Sequence, residues 1–298
     1  MHPENHLRGA MLMTLSALMF ATMGMCIKLV SVYLTNEMIV FFRNFFGLLY
    51  LLPWLTKGGI RGLATQHLSI HIWRTITGLG AMYCFFYALA HMQLASAVLL
   101  NFSTPLFIPF FALLWLKESI PAQVRWAIIV GFIGIGLILK PGAGMFQSVA
   151  LFGLASGILA ALASVTVRQL SRTEPTTRIV FYYSTISTVI SAIPLAWGWL
   201  MPDLKLWGLL ILIGVLATSG QLLMTRAYAH APAGRVGPFM YATVVFAAIF
   251  GWIMWNEIPD SYSFIGTALV VLAGILAIRR LNIVSSTDIT LTDNDKAQ

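Results

Sequence analysis

Apolar residues run along this chain in long stretches that polar residues interrupt only briefly. Such runs occupy residues 9–33, 38–55, 72–90, 95–116, 124–139, 149–167, 179–200, 206–225, 236–255 and 262–278. They are apolar on every face, with neither the alternation of a half-buried strand nor the single stripe of a surface helix. A membrane barrel strand needs only about ten alternating residues, so these runs favour helices, which satisfy their backbone groups internally. Ten spans of about 20 residues leave room for short connections and a polar tail at 281–298, but not for a soluble domain. The expected fold class is all-α and integral to a membrane.

Composition narrows this further. Of 298 residues, 59% are hydrophobic and 9% charged, against about 25% charged in a soluble domain, which excludes a soluble globule. The two cysteines, Cys26 and Cys84, fall inside apolar runs, so they read as packing residues and not as a disulfide framework. The net charge of +8 has no basic cluster or helix face to present it, and nucleic acid is excluded as a partner. No convincing cleavage site follows the first run, and Lys28 interrupts its far end, so it is read as a retained span.

Basic residues orient the spans. Arg8, Lys57, Arg61, Arg74, Lys117, Arg125, Arg168, Arg172, Arg178, Arg226, Arg235, Arg279, Arg280 and Lys296 flank one side, 14 of the 18 Lys and Arg. Lys140 and Lys205 face the other side, and Lys28 and Arg43 lie within spans. The positive-inside rule then makes both termini cytoplasmic in a multi-pass protein of the plasma (bacterial inner) membrane.

The chain also repeats itself. At a spacing of 139, Ala88, Ala90, His91, Thr104, Phe107, Phe111 and Glu118 recur without a gap as Ala227, Ala229, His230, Thr243, Phe246, Phe250 and Glu257. At 140, Ile39, Val40 and Phe41 recur as Ile179, Val180 and Phe181, and Lys28 and Ser31 match Arg168 and Ser171. Because five is odd, a second five-span copy enters from the opposite side. The expected architecture is two inverted five-helix halves, 1–144 and 145–280, followed by a polar cytoplasmic tail, 281–298. Inverted repeats of this kind are typical of secondary transporters.

Particular passages resemble a known family: FFRNFFG at 41–47, FFYALAHMQLASAVLLNFSTPLFIPFFALLWLKE ending at Glu118, RWAIIVGFIGIGLILKPG at 125–142, GQLLMTRAYAHAPAGRVGPFMY at 220–241 and FGWIMWNEIPD at 250–260. Together they resemble the EamA-like branch of the drug/metabolite transporter superfamily over nearly the whole chain. The resemblance implies ten helices around a central cavity that moves small metabolites by alternating access, and it names no cargo. Lys117 and Asn256 precede the two glutamates where the family often has glycine.

Candidate chemistry follows from the few polar residues in the runs. All ten acids fall in tails, loops or span ends, so the mid-membrane carboxylate common in ion-coupled carriers is missing. Lys28 and Arg43 each lie roughly 8 Å below the outer boundary by helical rise. Each is either a rim for an anionic ligand group or a snorkelling side chain. Arg226 pairs with Tyr87 at a spacing of 139, and Arg43 with Tyr183 at 140. That exchange suits a cavity for anionic or aromatic solutes, while a flank for Arg226 and an interfacial belt for the tyrosines, Tyr182 and Tyr183 among them, stay open. Asn101, Gln221, Tyr83 and Tyr241 complete the substrate-binding candidates.

Pro105 and Pro109 should kink or break the fourth span, as hinge, gate or packing device. Gly153, Gly157 and Ala161, with Ala17 and Ala21, predict close helix contacts. His91 and His230 fall on opposite sides and cannot share a metal. The expected function is a secondary transporter of a small anionic or zwitterionic metabolite, with a flat ring allowed. The alternative is a membrane enzyme or scaffold subunit. No catalytic residue, metal or cofactor is expected. The partners are the small-molecule substrate and the lipid bilayer, with a homodimer left open.

Overall fold

The structure, a computed structural model, describes residues 6–55, 64–116, 122–139, 148–170, 173–230 and 237–276. The tail at 281–298, Lys117, Glu118, Lys140, Arg172 and the flanking cations Lys57, Arg61, Arg235, Arg279, Arg280 and Lys296 lie outside the described residues. The described residues form helices and connections, with no strand among them.

In chain order the helices are α1 (His6–Val30), α2 (Asn36–Leu55), α3 (Leu68–His91), α4 (Leu94–Asn101), α5 (Thr104–Leu116) and α6 (Ala122–Leu139). Then come α7 (Ser148–Leu170), α8 (Thr176–Ala192), the single turn α9 (Leu195–Gly198) and α10 (Leu204–His230). A 3₁₀ turn at Gly237–Tyr241 leads into α11 (Ala242–Trp255), and α12 (Ser261–Leu276) closes the described chain. Among the described residues, four segments are long and apolar enough to cross a membrane: Leu7–Val30, Leu94–Trp115, Ser148–Val167 and Leu204–Ala227. Shorter apolar helices cover Ile128–Ile138, Phe239–Trp255 and Ser261–Leu276.

Among apolar helices in lipid, close approach decides which pairs lock together, because hydrocarbon is as apolar as leucine. The most extensive packing joins α1 to α10 and α3 to α7. On α1, Ala17 and Ala21 are buried, and Ser16 Oγ donates to the Gly220 carbonyl of α10 at 2.7 Å. A Cβ on Gly220 would meet Phe20 at 3.2 Å, and one on Gly80 of α3 would meet Leu159 of α7 at 3.4 Å. Gly80 and Gly220 are 140 residues apart, Phe20 and Leu159 139. The two main helix pairs are therefore built from matched residues. At the far end of each matched segment, α6 and α12 touch backbone to backbone: a Cβ on Gly134 would lie 2.7 Å from the Gly266 carbonyl, and one on Gly266 2.7 Å from the Gly134 carbonyl.

The fourth predicted span is broken, as its prolines require. α4 stops at Asn101 and α5 starts at Thr104, one residue before Pro105, while Pro109 sits inside α5. Thr104 Oγ1 takes the Asn101 carbonyl at 2.7 Å, replacing the bond that Pro105 cannot give. Gly153 and Gly157 of α7 lie against this break, where a Cβ on Gly157 would stand 2.7 Å from both the Leu100 carbonyl and Ser103 Oγ.

Candidate functional site

The polar residues inside the bundle gather in several groups. The first closes one end. Lys28, in the last turn of α1, donates to Glu257 Oε1 and to the Met92 carbonyl, the latter at 2.6 Å, and its ammonium stands 5.2 Å from the Trp255 ring centroid. Glu257 Oε2 accepts the Leu94 N–H at 2.8 Å, at the start of α4. The pair is largely buried, with 11% and 16% of the two side chains exposed. The ion pair thus ties the ends of α1, α3 and α11 to the start of α4.

Two local features bring Glu257 there. Asn256 caps α11 in the left-handed region, φ 53° and ψ 32°, which reverses the chain. Gly251 leaves room, since a Cβ would lie 2.7 Å from Glu257 Oε2. Asparagine is the best non-glycine choice for that backbone, which explains why it can replace the usual glycine. The sequence left Lys28 as a rim for an anionic group or a snorkelling side chain; in the structure its partner is Glu257, 229 residues away in sequence.

The second group lies where α2, α3 and α8 meet. Arg43 of α2 is half-buried, with Nη1 donating to Asn44 Oδ1 at 3.0 Å and Nε unpartnered. Arg74 of α3 lies with its guanidinium carbon 4.1 Å from the centroid of the Tyr183 ring of α8. Gly78 makes this possible, because a Cβ there would overlap Arg74 Nη1 and come within 3.1 Å of Tyr183. Buried atoms without a hydrogen-bond partner among the described residues include Arg43 Nε, Asn44 Nδ2, Arg74 Nε and Nη1, and Tyr83 OH. No described carboxylate pairs with either arginine.

Arg74 was not among the site candidates. The positive-inside count treats it as a cytoplasmic flank, whereas in the structure it stands in the second turn of α3, half-buried, with Nε and Nη1 out of solvent. The signal was its position, already within the apolar run 72–90. Its repeat-related position, 140 residues on, is Gly214. There a Cβ would meet Phe46 at 2.6 Å, so α10 and α2 close tightly where α3 and α8 hold a guanidinium. The two matched crossings therefore differ: one holds a guanidinium and the other a close helix contact.

The remaining candidates are placed elsewhere. Tyr87 stacks on His91 at 4.2 Å and leans on Phe152 at 4.7 Å, so its ring packs at a helix end. Asn101 Nδ2 donates to Ser156 Oγ of α7 at 3.1 Å, holding the α4–α5 break. Tyr241 is buried, its hydroxyl donating to the Phe102 carbonyl at 3.3 Å. Gln221 and Arg226 are exposed on α10. Tyr83 lies by the start of α2, where its backbone carbonyl accepts from Asn36 Nδ2 at 3.1 Å, and its hydroxyl has no partner among the described residues.

A third polar cluster stands at the start of α3. Glu174, between α7 and α8, accepts Thr65 Oγ1 at 2.6 Å and Arg178 Nη1 at 2.7 Å, and His71 Nε2 is 4.0 Å away. Burial pushes the Glu174 carboxyl up. The hydrogen bonds from Thr65 and Arg178, and the charges of Arg178 and His71, outweigh that and hold it below its ordinary value.

Comparison with known proteins accords with this architecture. A solved crystal structure shares the fold with a TM-score of 0.62 at 15% identity, over 92% of this chain and 98% of that one. A pseudopaline exporter of Pseudomonas aeruginosa is 38% identical over 90% of this chain and 94% of its own. A riboflavin transporter of Brucella anthropi is 30% identical, covering 82% and 88%. An S-adenosylmethionine uptake transporter of Rickettsia bellii is 30% identical, covering 80% and 82%. The model of the EamA-like transporter family matches twice, at residues 7–140 and 147–279. This chain therefore belongs to the EamA-like transporter family, as a multi-pass membrane transporter of small molecules and not an enzyme.

Proposed function

We propose that this transporter carries a small metabolite with an anionic or zwitterionic group, and that Arg43 and Arg74 hold that group. The observation that carries the reading is the pair of guanidinium groups with unpartnered buried donors and no described carboxylate beside them. A charge within a span costs at least about 3 kcal/mol even on a lenient scale, and an unmade buried hydrogen bond about 1–3 kcal/mol more. A carboxylate or phosphate entering between α2, α3 and α8 offsets both. Asn44 Nδ2 then orients it, and Tyr183 offers a face to a ring.

In this reading ten spans form two inverted halves, 1–144 and 145–280, that rock about the site in a plasma membrane with both termini cytoplasmic. The matched packing of α1 on α10 and of α3 on α7 supports such a two-fold exchange. The Lys28–Glu257 pair closes the outer end, and Arg226 stands towards the inner one.

The test is purified protein in liposomes, challenged with amino acids, carboxylates, riboflavin and S-adenosylmethionine in uptake and counterflow. Arg43→Gln and Arg74→Gln should each lower transport of the cargo found by at least about tenfold, the equivalent of 1.4 kcal/mol. Gly136→Ala, where a Cβ meets nothing within 4 Å, should leave transport unchanged. A double arginine variant that reaches the membrane and transports normally overturns the anion site.

A further inference from the structure

We propose that His71 binds a proton coupled to transport, with Glu174 as its counter-ion and the contact between α3 and α8 as the element it moves. The inference rests on the transport reading above but not on which solute is carried. His71 is 1% exposed, and neither ring nitrogen has a hydrogen-bond partner among the described residues. Its ring stacks on Tyr182 of α8, 4.6 Å between centroids at 26°. A buried imidazole with both nitrogens idle is costly unless another state uses them.

The groups around it define that state. Glu174 faces His71 from the connection between α7 and α8, Arg178 and Tyr182 from α8, and His67 from just ahead of α3. Arg74 follows on the same helix. Burial holds His71 below its ordinary value, Glu174 pulls it up, and Arg178 and His67 push it down again. In this arrangement it is neutral at neutral pH. The carboxylate that faces the ring offers an imidazolium Glu174 Oε2, 4.0 Å away and already taken by Arg178 at 2.7 Å.

Protonation therefore requires movement. A proton from water forms a new N–H bond, the imidazole becomes imidazolium, and either Arg178 yields Oε2 or α3 shifts against α8. When the present arrangement re-forms, the proton returns to water. Two arrangements with two proton affinities are what coupling needs, and by linkage acid favours the one in which His71 is solvated or paired. α3 and α8 also carry Arg74 and Tyr183, so the contact that answers to the proton is the one that shapes the proposed anion site.

The test is hydrogen–deuterium exchange of the full chain in lipid nanodiscs, at neutral and mildly acidic pD, corrected for intrinsic rates. Wild type should show a several-fold rise in exchange at residues 68–82 and 174–186 on acidification, and His71→Gln should not. Glu174→Gln, which keeps the histidine, should move the midpoint to lower pH. A wild type without a pH response, or a His71→Gln variant that responds as wild type does, overturns the proposal. For any cargo that wild type carries in liposomes, His71→Gln should keep counterflow and lose accumulation driven by a pH gradient; retained accumulation also overturns it. A panel that yields no cargo counts against the transport reading of this chain, while the exchange result still decides the proton site.

Discussion

Asn256 is the only described non-glycine residue with a positive φ, and the position of Glu257 depends on it. A left-handed backbone costs an ordinary side chain roughly 1–2 kcal/mol. Asn256→Val should lower thermal stability in detergent by about that much, while Asn256→Gly should stay within a few tenths of a kcal/mol. The role of this residue was legible only as a departure from a family habit, because its backbone angle is set by where Glu257 must go. Arg43 could be read directly, since a charge inside an apolar run demands a partner or a ligand. Arg74 was equally visible within 72–90 but was absorbed by a rule about flanks. The partner of Lys28 could not be read at all, because nothing local links residues 229 positions apart.

Among the elements, the broken fourth span was the most readable, since a proline removes a donor and crowds the preceding turn wherever it stands. The exact site of the break was not, because it depends on α7. Gly157 lets the break sit against α7, so Gly157→Ala should cost about 1–3 kcal/mol through overpacking. Gly136→Ala in α6, with open space at its Cβ, should be neutral or stabilising by up to about 1 kcal/mol. Thermal unfolding of the two variants under one condition checks the contrast. The connection between α7 and α8 makes a separate prediction about pH. Glu174 is held below its ordinary value, so its stabilisation is full above that value and fades as pH falls through the lower folded one. Acid unfolding curves of wild type and Glu174→Gln should therefore converge at low pH, with the variant less stable near neutrality.

For the molecule as a whole, the Lys28–Glu257 pair makes one end a single fastened unit of α1, α3, α4 and α11. Removing one partner of a buried pair typically costs about 3–5 kcal/mol, and the loosening should be local. Cys26, buried two residues before Lys28, is a native reporter. In Glu257→Gln with Cys84 replaced by serine, an impermeant maleimide should label Cys26 much faster than in the same background with Glu257 intact. Equal rates would show that the pair does not hold that end shut. The repeat spacing was legible from sequence, and the helix pairs α1 with α10 and α3 with α7 follow it. The loss of symmetry at the site was only half legible, as an exchange of Arg43 for Tyr183.

That loss has a consequence for ancestry. An assembly of two identical first halves would place arginine where this chain has Tyr183 and where it has Gly214. Four guanidinium groups would then converge with no aromatic face to lie on and no gap through which α2 and α10 could meet. Like charges in a membrane interior repel without water to screen them. The second half can no longer be exchanged for a copy of the first: a gene duplication, once it divided bulk and room between its copies in this way, could not return to a symmetric pair.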